Sequence, residues 1–223
     1  MRKKLAVQGV VKLISGAMTI GLLLFLPAGT FDFPGAWRLL SVFFIPAFVL
    51  GLVLLAVNPE LLAKRLNTRE TEPEQRRVLV ISSFIFAASF LLCALDFRFG
   101  WSAVPTWLST VGCIVFFAAY MGFAELLREN EYLSRSVELQ IGQKVVSTGM
   151  YGVVRHPMYA VILWLFLAMP LILGSYVGLI PLIFIPYVLV KRLLNEEKLL
   201  REGLDGYDEY MKKVPYRLIP FVW

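Results

Sequence analysis

The sequence predicts an all-α integral membrane protein with about six transmembrane helices, on the strength of three observations. Of its 223 residues, 58% are hydrophobic and only 17% are charged, whereas a soluble domain carries about a quarter charged residues. The apolar excess sits in blocks long enough to cross a hydrocarbon layer of about 30 Å, which takes roughly 20 residues of helix. The basic residues flank those blocks, as juxtamembrane lysines and arginines facing anionic headgroups do. The formal charge of +6 therefore points to membrane lipids and gives no reason to expect a nucleic acid.

Taken in order, the apolar runs lie at about 11–28, 37–57, 78–96, 105–126, 157–173 and 176–193. The first follows Arg2, Lys3 and Lys4. Its stretch Leu13 to Pro27 lacks a clear small-residue cleavage site, so a retained helix is expected in place of a signal peptide. Pro27-Ala28-Gly29 closes it. The segment 58–77 alternates in sign (Glu60, Lys64, Arg65, Glu70, Glu72, Glu74) and reads as a solvated surface connection. Cys93 and Cys113 fall inside apolar runs and read as small core residues. With His156 the only histidine, there is little material for a zinc or haem site, and no metal is expected. Gly112, Gly122 and Gly178 are the small residues that let membrane helices approach. Only Gly174-Ser175-Tyr176 separates the last two runs, which makes them a tight hairpin kinked by Pro170, Pro181 and Pro186.

Charge asymmetry sets the expected orientation. Arg2-Lys3-Lys4, the loop with Lys64, Arg65, Arg69, Arg76 and Arg77, the loop 127–155 and the tail after Lys191 are basic. The connections 29–36, 97–104 and 174–176 hold one basic residue among them, Arg98. The positive-inside rule then places both termini and the long polar loops in the cytoplasm. The chain divides into helices one to four (1–125) and a C-terminal part (126–223) whose polar motifs meet at the cytoplasmic face.

Two polar clusters stand at the mouths of apolar helices. In Gly149-Met-Tyr-Gly-Val-Val-Arg-His-Pro-Met-Tyr159, proline suits the first turn of a helix because its missing N–H would be unpaired there. A helix N-terminus beside Arg155 and His156 suits a carboxylate or phosphate, and Tyr151 and Tyr159 offer an aromatic face. The plainer reading of His156 is a capping residue. About 40 residues on come Arg192 and Glu196-Glu197. Adjacent carboxylates point about 100° apart, so one can face the bundle while the other is solvated or paired with Lys191, Lys198 or Arg201. Arg192 lies four residues before Glu196, spaced for a routine ion pair or for holding an anionic group at membrane depth. The aromatic tail from Gly206 to Pro220 either lies in the interface or covers the cytoplasmic mouth.

These segments resemble a known family. Gln143-Lys-Val-Val-Ser-Thr-Gly-Met-Tyr151, Arg155-His-Pro-Met-Tyr159, Glu196-Glu197 with Leu200, Gly206-Tyr207 with Tyr210, and Tyr216-Arg-Leu-Ile-Pro220 are similar to the isoprenylcysteine carboxyl methyltransferases, relatives of the membrane phospholipid N-methyltransferases. The resemblance covers roughly 125–223. It implies an S-adenosylmethionine-dependent membrane methyltransferase acting on a lipidic or isoprenoid acceptor, with carboxylate O-methylation favoured over amine N-methylation. It further implies cofactor contacts at Gln143, Lys144, Val145, Val146, Tyr151, Arg155, His156, Pro157, Met158, Tyr159 and Glu196. Arg192 would orient the acceptor, and Glu197 or His156 would be the base if the acceptor were an amine. Met150 stands where many relatives have proline. The stretch Glu129 to Gln140 aligns loosely, and no cofactor contact is carried from it. The alternatives are an NADPH-dependent membrane reductase of the sterol-reductase type, for which Arg128, Asn130 and Arg135 are weak phosphate ligands, and a transporter or scaffold. Against a transporter, helices one, two and four hold no ionisable residue at mid-span.

Overall fold

The computed structural model describes residues 2–67, 70, 72–136 and 139–223, and Arg69 of the charged loop lies outside them. No β-strand occurs among the described residues. Four helices are long and apolar enough to cross a membrane: α1 (Arg2–Ala28), α2 (Pro34–Val57), α4 (Pro73–Phe99) and α5 (Thr106–Glu129). At 1.5 Å per residue the 24 to 27 residues of each reach about 36–40 Å. A fifth apolar helix, α6 (Pro157–Leu173), is shorter at 17 residues. Their outer faces keep large apolar side chains exposed, among them Phe48, Phe84, Trp107, Ile114 and Phe117. Such a belt would be an aggregation surface in water, and in a bilayer it meets lipid tails. The chain is an integral membrane protein.

Short elements sit between and beyond these helices. α3 (Pro59–Leu66) follows α2 directly, its N-terminus capped by Asn58, whose side chain accepts from Leu61 N at 3.0 Å. Asparagine is a preferred N-cap because its side chain satisfies an amide that the helix leaves unpaired. The connection 58–77 is thus partly a helix, with Leu61 and Leu62 buried. After a 3₁₀ turn at Gly149–Gly152 and α6 come a one-turn helix α7 (Leu179–Leu182), a long helix α8 (Ile185–Gly203) and α9 (Tyr207–Lys213).

The last apolar run differs from the single helix expected over 176–193. α7 ends after one turn, and Ile183 N and Phe184 N bond three residues back, to Ile180 and Pro181. Pro181 and Pro186 supply no N–H to a regular ladder, so the chain tightens between them. α8 then continues to Gly203, ten residues past the apolar run, and carries Glu196 and Glu197 out of the bundle. The turn into the hairpin is as expected: Gly174 adopts φ +86°, and Ser175 N bonds back to the Pro170 carbonyl at 2.9 Å, the left-handed helix end that glycine permits.

The core draws on both halves of the sequence. Leu24, Phe33, Leu39, Phe90, Phe116, Ala168 and Ile172, from α1, α2, α4, α5 and α6, form one buried cluster. α6 packs most extensively against α5 and also touches α2. At Gly35 the α2 backbone comes so close that a Cβ there would lie 2.7 Å from the Leu173 carbonyl oxygen. Gly112 makes a looser allowance between α5 and α6, where the nearest atoms, of Ile172 and Leu171, would be 3.3 Å from a Cβ. At the hairpin end, buried Asp96 accepts from Ser102 N at 2.7 Å and from the hydroxyls of Ser102 and Ser175. This carboxylate pins two connecting loops to α4.

Candidate functional site

At the other end of the bundle the polar motifs close around one groove. Pro157 opens α6 with His156 at the N-cap, φ −127° and ψ 58°, its side chain making no cap hydrogen bond. The 3₁₀ turn before it is held from two sides. Met150 N donates to the Glu129 carboxylate at the end of α5, at 3.2 Å, and the Tyr210 hydroxyl on α9 donates to the Tyr151 carbonyl at 2.8 Å. Gly149 has φ +50°, and any Cβ there would collide with Glu129. The glycine of the motif thus answers both a backbone conformation and a contact.

The groove contains about 860 Å3 of space free of protein atoms, its open mouth included. Gln143 to Val146, Tyr151 and Arg155 to Tyr159 line it on one side, with Arg192 and Glu196 on another. Every residue expected at the cofactor is therefore on the lining, together with Arg192. Three further stretches complete it: Asn130 with Tyr132 to Ser136, the α8 leucines Leu199 and Leu200 with Leu204, and Tyr207 with Tyr210 on α9. Leu200, Tyr207 and Tyr210 belong to the resembling motifs but carry no contact from them, and Asn130 and Arg135 are named only for the reductase alternative. The tail was expected to lie in the interface or to cover the mouth, and α9 takes the second place. The 132–136 stretch carries no periodicity or motif that would have marked it.

Four polar atoms on this lining are buried without a formal hydrogen bond: the hydroxyls of Tyr151 and Tyr207, Arg192 Nη1, and His156 Nε2, which has only the Glu197 carboxylate 3.5 Å away. Burial pushes the phenols of Tyr151 and Tyr207 well up, so both remain protonated donors at neutral pH. Buried polar groups are almost always satisfied, so this concave lining still has polar atoms to offer a partner. Glu196 is held by the Tyr159 hydroxyl, which donates to its Oε2 at 2.5 Å.

Two residues stand differently from expectation. Glu197 does not line the groove. It is buried and takes Arg155 Nε at 2.7 Å and Arg217 Nε at 2.8 Å, with His156 Nε2 3.5 Å away. Burial pushes its carboxyl up, but the nearness of His156 and the bonds from Arg217 and Arg155 hold it down at about 2. A carboxylate so weakly basic is a counter-ion and a poor general base, and its partners are not the Lys191, Lys198 or Arg201 suggested by spacing. Arg155 reaches the lining, yet its guanidinium is committed to Glu197 and, through Nη1, to the carbonyls of Val214 and Pro215, both at 2.8 Å. Arg192 instead keeps one nitrogen, Nη1, without a hydrogen bond on the lining. It donates through Nη2 to the Arg135 carbonyl at 2.9 Å and stands 3.7 Å from Glu70, so of the two readings its spacing allowed, the i,i+4 pair with Glu196 is not the one formed.

The tail joins the motif through its backbone as well. Arg155 N and His156 N donate to the carbonyls of Tyr216 and Arg217, both at 2.9 Å. These two bonds and the Arg155–Glu197–Arg217 group fix the amide plane before α6.

A helical membrane protein with a ligand groove at the mouth of its helices is the class that fold and site define. The family model of the isoprenylcysteine carboxyl methyltransferases (the ICMT family) matches residues 110–202, from α5 to the end of α8. Over that stretch, somewhat less than half of its length, the chain is similar to this family of membrane methyltransferases. It is also similar to the Delta(14)-sterol reductase of Mus musculus, 36% identical over 86 residues. That similarity covers 37% of this chain, and the chain spans a fifth of the length of that relative.

Proposed function

We propose that the protein is an S-adenosylmethionine-dependent methyltransferase whose acceptor is a lipidic or isoprenoid molecule bearing a carboxylate. The observation that carries this reading is the set of four buried polar atoms without a formal hydrogen bond on one groove, those of Tyr151, His156 and Arg192 within the family-matched stretch and that of Tyr207 just beyond it. Their chemistry fits that cofactor. His156 Nε2 and the hydroxyls of Tyr151 and Tyr207 suit a carboxylate and ribose hydroxyls. Glu196 suits an ammonium or a hydroxyl, and Val145, Val146, Leu199, Leu200 and Leu204 form apolar walls for a purine ring. When bound, the cofactor supplies a methyl group on a sulfonium sulfur, which leaves as a neutral thioether.

The chain's own part in such a displacement is positioning and exclusion of water. Arg192 Nη1 is placed to hold an anionic acceptor group, as the guanidinium already engaged on one side has donors left on the other. A carboxylate acceptor is ionised at pH 7 and needs no base, which agrees with a Glu197 locked between two arginines. Glu196, held by Tyr159, and the α8 leucines close one flank. The acceptor's apolar part would reach the groove from the bilayer, and the cofactor from the cytoplasmic side that the charge pattern predicts.

The similarity to a sterol reductase supports one competing reading, in which the groove takes NADPH. Thermal melting of the purified protein in detergent with S-adenosylmethionine, S-adenosylhomocysteine and NADPH in parallel separates the two. A ligand that binds only the folded state raises the midpoint by mass action. A rise with the first two alone is expected. A rise with NADPH alone would replace the methyltransferase by a reductase.

A further inference from the structure

The short helix α3 lies outside the family-matched stretch, yet its two cations reach the groove wall. Lys64 Nζ donates to the Glu131 carbonyl at 3.2 Å, and Arg65 Nη1 donates to the Ser134 carbonyl at 2.9 Å. The next carbonyl along, that of Arg135, accepts from Arg192 Nη2 at 2.9 Å. Consecutive carbonyls of the 134–135 stretch are thus held by arginines of α3 and α8. Tyr132, Leu133, Ser134, Arg135 and Ser136 all line the groove. The seat of α3 is firm: Leu61 is 2% exposed and packs with Leu126, Leu127, Leu133 and Tyr151. The Arg65 guanidinium lies over the Phe123 ring, 5.0 Å from its centroid.

We infer that Arg65, with Lys64, is a positioning residue of the site: α3 clamps the 131–136 wall in the place from which it meets the bound ligand and aims Arg192. The inference rests on the proposed function for the identity of the ligand, and on geometry alone for the clamp. Side-chain hydrogen bonds to these carbonyls are charge-assisted and roughly twice as strong as neutral ones. The loop itself has few backbone bonds to replace them: Leu133 N to the Asn130 carbonyl and Ser134 N to the Tyr132 carbonyl are local. Burial first, then the nearness of Arg135 and Arg192, lowers the Arg65 guanidinium to about 10. Losing Arg65 therefore removes a carbonyl anchor and part of the field that an anionic group would feel.

Two measurements on Arg65→Ala, Arg65→Lys and Lys64→Ala test this. Hydrogen exchange on the ligand-free proteins reads the clamp directly. Arg65→Ala should speed exchange of the 131–136 amides while leaving those of 157–173 unchanged, with Lys64→Ala intermediate and Arg65→Lys closest to the parent. S-adenosylhomocysteine affinity should weaken on the order of tenfold in Arg65→Ala, the scale of one hydrogen bond to a charged group, and recover in part in Arg65→Lys. Unchanged exchange at 131–136 would overturn the inference. So would faster exchange spread evenly over the whole chain, since that reports general destabilisation. If the parent protein does not bind S-adenosylhomocysteine, the functional reading falls, while the exchange data still decide the clamp.

Discussion

At the scale of single residues, the two adjacent glutamates of α8 have opposite surroundings. Glu196 faces the groove, and Glu197, one residue on, is buried among Arg155, Arg217 and His156. Its folded-state value of about 2 lies below the ordinary 4.5. A depressed carboxyl contributes stability that is fully present above pH 4.5 and lost as pH falls through 2. The melting midpoint should therefore drop across that window, and Glu197→Gln should lack this component. At pH 7 Glu197→Gln leaves buried Arg155 and partly exposed Arg217 without their counter-ion, a loss on the order of 3 kcal/mol, measurable by thermal unfolding in detergent. His156→Ala leaves that group in place. It is expected to weaken S-adenosylhomocysteine binding about tenfold with little change in the ligand-free midpoint. Unchanged affinity, measured by calorimetric titration, would remove His156 from the ligand site.

At the scale of elements, the site depends on how closely α6 sits in the bundle. Gly35 allows α2 backbone to touch the end of α6, with Leu173 Cα only 2.9 Å from where a Cβ would lie. Backbone on both sides cannot rotate away. Gly35→Ala should thus push the helices apart and cost on the order of 1–3 kcal/mol, read as a lower melting midpoint. An unchanged midpoint would show that α2 and α6 can separate without loss. α8 shows a different division of labour. Its first turns complete the apolar hairpin after the break at Ile183-Phe184. Its last turns, from Arg192 to Leu200, carry the groove-lining residues, so one helix connects membrane packing to chemistry.

At the scale of the whole molecule, the exposed apolar belt and the flanking charges predict which side each loop faces. A cysteine placed at Thr30 or Trp101 should react with a membrane-impermeant maleimide added to intact cells, and one at Lys212 should react only after the membrane is opened. Reversal of that pattern would place the groove on the far side, away from a cytosolic cofactor. Thr30, Trp101 and Lys212 are all exposed, so labelling reports sidedness rather than burial.

How much of this was legible beforehand follows from the range of the forces involved. Apolar runs, proline at a helix start, glycine at a helix end and basic flanks act over a few residues. The sequence by itself therefore determined the helical membrane class, the opening of α6 at Pro157, the hairpin at Gly174 and the motif residues that face the groove. Tertiary structure alone decided the rest. The partners of Glu197 lie 42 residues before it and 20 after it in sequence, and no local pattern selects them over Lys198 or Arg201. The 132–136 wall has no periodicity because it forms no regular element. It becomes part of the site only because α3 and α8, folded in from 69 residues before and 57 after, take hold of its carbonyls.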